Sequence, residues 1–559
     1  LSELSEPKKP SRSLARIAGI VGIATLISKV FGLLRQQAIA AAFGVGPVAG
    51  AYNFAYVIPG FLLILLGGIN GPFHSAVVSV LAKRKREEIA PIVETITTVV
   101  GGLLLLVTIG LIIFADPLMH LVAPGLYLTA AQAQAQGMTP AEFQALVQTK
   151  AIAIEQFKIM APMAVLAGLI GIGFGTLNAA DQYWLPSISP LFSSVSLLVG
   201  LGGLVWYLGD RILEPQYAMA GGLVLAWGTL AGAVMQWLVQ LPVQWRMGLG
   251  GLRFRFDWHH PEVQDVIRVM GPATLSSGML HINVWTDLFF ASFIPQAAAA
   301  VSAMSYAGLL IQTPLGILSN VILVPLLPVF SRLAAPEHWD ELKGRIRQGL
   351  LVTAVAMLPL GALMIVLARP IVRVIYERYA FDQAATQLTT SVLITYAVGM
   401  FVYLGRDVLV RVFYALGDGD TPFRISTVNI FLNALLDYLL VRPLGAPGLV
   451  LATVGVNLIS MVVLLWFLHR KLNGLPWRSW MAPILGLTGA SVLTGLASWG
   501  VLQGLEQIFA PEGLLIQLVQ LCIAGAIGLG IFALLATQLR LPEVDLLINR
   551  IRQRFFPRN

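Results

Sequence analysis

Cysteine is almost missing from this chain of 559 residues: Cys522 is the only one. That excludes an intrachain disulfide framework and any cysteine-rich metal site. Charge is scarce as well, with Asp, Glu, Lys and Arg together making up 11% of the residues. A water-soluble fold could not cover its apolar surface with so few charges. The sequence also lacks a Gly-rich phosphate loop ending in GK[ST], an HExxH helix and a GxSxG elbow, so the common soluble catalytic frameworks have no foothold. Glycine follows no period of three, which excludes a collagen-like chain, and the apolar content excludes disorder. The formal charge of +8 would suggest nucleic acid in a soluble protein. Here no interleaved aromatic and basic surface or recognised module supports that partner.

What is present is apolar residue in long runs. Hydrophobic residues are 57% of the chain, and the 54 glycines raise the apolar share to about 67%, against about 45–50% in ordinary soluble domains. Mean hydropathy is +0.79. The runs exceed the length that spans a bilayer and do not alternate, so the expectation is an all-α polytopic membrane protein rather than a barrel. Fourteen transmembrane helices are expected, near 17–42, 50–81, 92–115, 152–178, 187–208, 217–241, 264–294, 300–331, 348–368, 386–416, 424–441, 446–468, 480–503 and 514–538. The first is read as a retained helix, because its apolar run is long and no small-residue cleavage pattern follows it.

Basic residues set the orientation. Lys8, Lys9, Arg12 and Arg16 precede the first span, and Lys83, Arg84, Lys85 and Arg86 follow the second. Arg246, Arg253 and Arg255 follow the sixth, Arg332, Lys343, Arg345 and Arg347 the eighth, and Arg470, Lys471 and Arg478 the twelfth. Arg540, Arg550, Arg552, Arg554 and Arg558 close the chain. With fourteen spans all fall on one side, which places both termini in the cytoplasm. The loop from Asp116 to about Lys150 then lies outside. Within it Thr139, Pro140 and Glu142 form a helix-start signature of N-cap, N1 and N3. Pro59, Pro72, Pro162, Pro272, Pro314 and Pro325 fall inside spans and read as kinks, with Pro59, Pro72, Pro314 and Pro325 as hinge candidates. The segments around Pro59 and Pro314 share an order of features, which suggests a six-helix unit repeated in the same orientation.

Ionisable residues inside the apolar body are the functional candidates, because each needs a cavity or a partner. The first span carries Lys29 and Arg35, which six residues apart do not share one narrow face. Either can hold an anionic lipid head or a phosphate, or snorkel to the interface. Asp287 stands isolated in "HINVWTDLFFASF" and suits ion coupling or pairing inside a cavity. His281 beside it makes a poor metal site, and Asn283 is left to a structural hydrogen bond. Arg406, Asp407 and Arg411 lie in the tenth span, with Asp407 and Arg411 spaced for an intrahelical pair. A positively lined cavity there would suit a pyrophosphate, while a helix end would make the same residues an interface anchor. His74 reads as a hydrogen-bonded packing residue, and His259 and His260 in "DWHHPE" as an interfacial helix start. No metal site and no cofactor is expected.

The stretch "LISKVFGLLRQQAIAAAFGVGPVAGAYNFAYVIPGFLLILL" resembles the start of the MurJ/MviN lipid II flippase family, within the multidrug/oligosaccharidyl-lipid/polysaccharide exporter superfamily. "APGL" at Ala123–Leu126, "QLP" at Gln240–Pro242, "ASF" at Ala291–Phe293 and "FYALGDGDTP" at Phe413–Pro422 agree with it in order. The resemblance implies two six-helix lobes around a central cavity and two further helices beside a lipid-tail groove. In this chain these become a cytoplasmic tail at 1–16, an N-lobe at 17–241, a cytoplasmic connector at 242–263 and a C-lobe at 264–468. A helix pair at 480–538 and a basic cytoplasmic tail at 539–559 complete the plan.

The implied activity is movement of undecaprenyl-pyrophosphate-linked peptidoglycan precursor from the cytoplasmic to the outer leaflet of the bacterial cytoplasmic membrane. It would proceed by alternating access, driven by membrane potential or an ion gradient rather than ATP. The implied partners are the bilayer, the lipid-linked saccharide and cell-wall synthesis proteins. Arg35 matches the arginine of the family's first-helix GxxR, and Lys29 replaces a usual arginine, keeping charge but losing a bidentate fork. Arg35, Lys29, Arg411 and Arg406 are thus headgroup candidates, and Asp287 and Asp407 candidates for coupling or pairing. Gly50, Leu63, Gly308 and Leu309 are neutral where the family usually carries charge. That leaves a transporter of another polyprenyl-linked saccharide, or a non-transporting scaffold for envelope synthesis, as alternatives.

Overall fold

The computed structural model describes residues 14–68, 71–81, 84, 86–257, 261, 263–266, 268, 282–509 and 513–539. Among the described residues every regular element is helical. Eleven helices among the described residues are long and apolar enough to cross a membrane, and twelve if the bent pair Pro140–Met160 and Met163–Ala179 is one span. Each of the twelve overlies an expected span. The other two expected spans are the first and the seventh. The first is a 30-residue helix, Leu14–Phe43. Much of the seventh, with Pro272 and His281, lies outside the described residues, as do Lys83, Lys85, His259, His260 and the basic residues from Arg540 onward.

Several expected spans are interrupted. The one at 50–81 becomes Pro47–Gly67 and Pro72–Leu81. Gly71 N turns back onto the Gly68 carbonyl at 2.9 Å, and Pro72, with no N–H to donate, opens the second helix. At Pro162 the 152–178 span bends by 41°, and its helix begins earlier, at Pro140. Gly399 separates Gln383–Val398 from Met400–Ala415 within the expected 386–416 span. By contrast Ala297–Arg332 stays one helix of 36 residues although Pro314, Pro325 and Pro328 lie inside it. The segments around Pro59 and Pro314, alike in sequence, therefore differ in continuity.

The chain divides into two compact units. The first takes Leu1–Phe43, Pro47–Val122 and Val147–His281. Its core is built where Pro72–Leu81, Arg86–Ile113 and Met163–Ala179 meet, with Leu66, Phe73, Ile92, Ile96, Ala167 and Ile172 buried together. Gly171 lets the backbone of Leu66 approach, since a Cβ there would overlap the Leu66 carbonyl. Leu63 packs against this apolar cluster. Leu103, Leu106, Ile113 and Phe114 face outward and exposed, as lipid-facing positions do.

The second unit takes Gly44–Gly46, Ala123–Leu146 and Ile282–Asn559. Trp339–Val366 is central to it and receives Trp477–Ile508 and Leu514–Gln538 through Leu351, Ala354, Leu487 and Phe532. Two segments from the first half of the sequence are fixed here. The Gly44 carbonyl accepts from Tyr306 Oη at 2.8 Å, beside the ring cluster of Tyr306, Tyr376 and Phe381. Gly125 N donates to Ser292 Oγ at 2.9 Å. The helix starting at Pro140 opens with the expected capping box, Thr139 N donating to Glu142 Oε2 at 2.9 Å and Glu142 N to Thr139 Oγ1 at 3.3 Å.

Candidate functional site

A carboxyl group held among apolar helices needs hydrogen bonds from its neighbours. Asp287, on Ile282–Ala291, obtains them from two other helices of the second unit. Asn433 Nδ2 donates to its Oδ1 at 2.9 Å, and Thr453 Oγ1 to its Oδ2 at 3.3 Å. The same Asn433 Nδ2 donates to Asp437 Oδ2 at 2.8 Å. Asp287 and Asp437, both bonded by that one nitrogen, are near neighbours.

Helical periodicity builds this cluster. Asn433 and Asp437 are one turn apart on Asp420–Leu444, as are Asn283 and Asp287 on their helix and Thr453 and Asn457 on Ala446–Lys471. Asn433 and Asp437 are fully buried. Asp437 Oδ1, Asn433 Oδ1 and Asn283 Oδ1 are enclosed without a hydrogen-bond partner, so the structural bond expected of Asn283 is not made by that oxygen. Tyr396 and Tyr403 stand close enough to feel the Asp287 charge, and Tyr403 Oη also has no partner.

Two carboxyl groups sharing one amide donor, with unpaired oxygens around them, form an acidic, oxygen-rich site. Its chemistry suits a proton or a small hard cation held by carboxylate, amide and hydroxyl oxygens. Among the described residues no three His, Cys, Asp or Glu side chains group as a site for a metal ion. Sequence reasoning singled out Asp287 but missed Asn433, Asp437 and Thr453. A signal was available: "FLNALLDYLL" puts an aspartate and an asparagine one turn apart inside an apolar span.

The other candidates separate into different settings. Arg406 is tied down: its Nε donates to Ser460 Oγ at 3.2 Å and its Nη2 to Ser426 Oγ at 3.3 Å. Asp407 pairs with Arg406 at 3.5 Å, not with Arg411 as the spacing suggested. Arg411 instead lines, with Asp407, Ser319 and Tyr414, a cavity of about 330 Å³ in the second unit. In the first unit Arg35 is half-buried, and its Nε is enclosed with no hydrogen-bond partner. It lies near Tyr56, which stacks on Tyr52, and Tyr52 Oη is hydrogen-bonded to Thr229 at 2.9 Å. Lys29 is exposed.

His74 is buried and accepts from Asn178 Nδ2 at 2.7 Å, the packing role expected of it. Pro59, Pro314 and Pro325 sit inside helices, and Pro72 starts one. Gly50 and Gly308 are buried.

The described residues form a polytopic membrane protein of many helices with charged groups enclosed in its apolar body, and solved structures share that fold. A solved structure described as "Lipid II flippase MurJ, inward closed conformation" matches at a TM-score of 0.70 and 20% identity, covering 92% of this chain and 98% of its own. An inward-facing MATE-family transporter of the MOP superfamily matches at 0.61 and 15% identity, covering 82% and 98%. At sequence level the family model "Lipid II flippase MurJ" matches residues 39–522. The chain belongs to that MurJ family. A protein of Synechocystis sp. named "Probable lipid II flippase MurJ" is 55% identical over 552 residues, covering 99% of both chains. The "Lipid II flippase MurJ" of Burkholderia cenocepacia is 28% identical over 500 residues, covering 87% of this chain and 89% of its own.

Proposed function

We propose that this chain is a lipid II flippase: it moves undecaprenyl-pyrophosphate-linked peptidoglycan precursor from the cytoplasmic to the outer leaflet by alternating access. It is a membrane transporter and makes or breaks no covalent bond of its cargo. The reading rests on membership of the MurJ family along nearly the whole chain. The neutral residues at Gly50, Leu63, Gly308 and Leu309 do not weigh against it, since a relative 55% identical across 99% of the chain carries the flippase name.

The finer architecture belongs to the same proposal. It comprises fourteen spans, an N-lobe at 17–241, a C-lobe at 264–468, a helix pair at 480–538, and both termini in the cytoplasm of a bacterial cell. Arg35 and Lys29 contact headgroup phosphate, with Arg411 a further cationic contact from its cavity; Arg406 positions Asp407. Pro59, Pro72, Pro314 and Pro325 serve as hinges.

The observation that carries the mechanism is the three-helix cluster of Asp287, Asn433, Asp437 and Thr453. Two carboxyl groups this close repel when both are charged, unless a proton or cation lies between them. Filling and emptying that site biases the packing of three helices, so an ion gradient or membrane potential can drive the cycle without ATP. A leaflet-resolved assay with purified protein in liposomes tests the cargo. Translocation of lipid II supports the proposal. Movement of another polyprenyl-linked saccharide but not lipid II, or of neither, rejects it.

A further inference from the structure

Beyond the ion and headgroup sites, the first unit carries an unusual strap after the helical turn Leu241–Arg246. Leu249 plugs the apolar core with no exposed surface. Gly250, at φ +121°, then lies against Ala90 and Val93, and the chain runs on without helix through Gly251–Asp257. It is held by side chains of the neighbouring helix Arg86–Ile113. Gly251 N donates to Glu94 Oε1 at 3.1 Å, Arg255 Nε pairs with Glu94 Oε2 at 3.0 Å, and Arg255 N donates to Thr98 Oγ1 at 3.1 Å.

This attachment takes up backbone groups and leaves the side chains from Leu252 to Asp257 exposed. Phe254 is 87% exposed, Phe256 69% and Leu252 54%, with Trp245 beside them at 53%. Arg246 and Arg253 are exposed too and have no ion pair among the described residues. The level of the strap matters. Thr98 stands where the charged turns of its helix, with Glu87, Glu88 and Glu94, give way to an apolar run free of charge up to Ile113. The aromatic residues are therefore at the edge of the hydrocarbon, on the side the basic residues place in the cytoplasm.

We propose that the Leu249–Asp257 strap is a lipid-binding surface for the cytoplasmic leaflet, recognising anionic phospholipid. Leu252, Phe254 and Phe256 enter the boundary between headgroups and acyl chains, and Arg246 and Arg253 bind the headgroup phosphates. Exposed aromatics next to unpaired arginines match an interface that is apolar on one side and negatively charged on the other. Glu94 keeps Arg255 out of this set by neutralising it.

The test uses the full chain in nanodiscs, with Cys522→Ser removing the native thiol and Phe256→Cys carrying an environment-sensitive fluorophore. The label is expected to be quenched by nitroxide-bearing lipid and shielded from iodide. Adding phosphatidylglycerol to phosphatidylcholine is expected to raise the nitroxide quenching about twofold, and Arg246→Ala with Arg253→Ala to abolish that gain. Quenching by iodide as strong as for free dye overturns the proposal, as does equal nitroxide quenching in both lipids. Should Phe256→Cys fail to fold, Leu252→Cys reports the same surface.

Discussion

Asp287 and Asp437 are bound to one amide nitrogen: Asn433 Nδ2 reaches the first at 2.9 Å and the second at 2.8 Å. One donor cannot neutralise two carboxylates, so the pair depends on a proton or cation for its balance. Asp287→Asn removes that demand while keeping the shape. Transport driven by an ion gradient is expected to fall about 10- to 100-fold, from loss of a charge-assisted contact worth roughly 1.5–3 kcal/mol. Asp437→Asn is expected to do the same, and the double variant to be little worse than either single one, because both act on one site. Additive losses in transport rate would show that the two carboxyl groups work separately.

Arg35 supplies a second test. Its Nε is enclosed with no partner, an arrangement that costs energy unless a ligand supplies an acceptor. Arg35→Ala is expected to reduce lipid II translocation by about 10-fold or more, and Arg35→Lys to recover only part of it, because an ammonium cannot offer a planar fork to phosphate. Unchanged transport in Arg35→Ala would remove this residue from the headgroup contacts.

Asp418, in the loop before Asp420–Leu444, gives a pH-dependent prediction. Burial acts to raise its pKa, but hydrogen bonds from Lys471 and Thr421 outweigh it and hold the carboxyl below its usual range. Lys471 Nζ is 2.6 Å from Oδ2, and Thr421 N is 3.0 Å from Oδ1. A depressed folded pKa contributes stability above the unfolded value, near 4, and loses it as pH falls through the lower folded value. Asp418→Asn is expected to cost on the order of 1 kcal/mol at neutral pH, allowing for partial exposure of the pair. Thermal unfolding of both proteins should converge as pH is lowered below about 4.

Gly44 is fixed by geometry more than by sequence pattern. Its φ is +55°, and an added Cβ would run into the Ala380 carbonyl. Gly44→Ala should destabilise the protein by about 1–2 kcal/mol from the backbone alone, with the overlap adding to it. Tyr306→Phe, which removes the hydrogen bond from Tyr306 Oη to the Gly44 carbonyl, should cost about 1 kcal/mol. Thermal unfolding in detergent measures both. A smaller loss in Gly44→Ala than in Tyr306→Phe would contradict this ordering.

The helical class and the places of twelve spans were legible because long apolar runs leave few alternatives to helices in a bilayer. Thr139 and Glu142 were readable too, since a capping box is local. The breaks were less so: Gly68 and Pro72 interrupt one helix, while Pro314, Pro325 and Pro328 leave another whole, and packing decides between these outcomes. Asp287 stood out as a charge in an apolar run. Its partners did not, because Asn433 and Thr453 become ligands only when three helices converge. Arg406 and Arg411 looked alike in sequence, yet one is held by serines and the other lines a cavity.

Lipid II flipping by this chain is proposed to be coupled to an ion gradient through the Asp287–Asp437 site. The most direct measurement is leaflet-resolved lipid II translocation in proteoliposomes, with an ion gradient or membrane potential imposed and then collapsed, in the native protein and in Asp287→Asn. Translocation by the native protein is expected to rise with the imposed gradient, and the variant to be slow and indifferent to it. Gradient-driven translocation of lipid II by Asp287→Asn at the native rate would contradict this coupling.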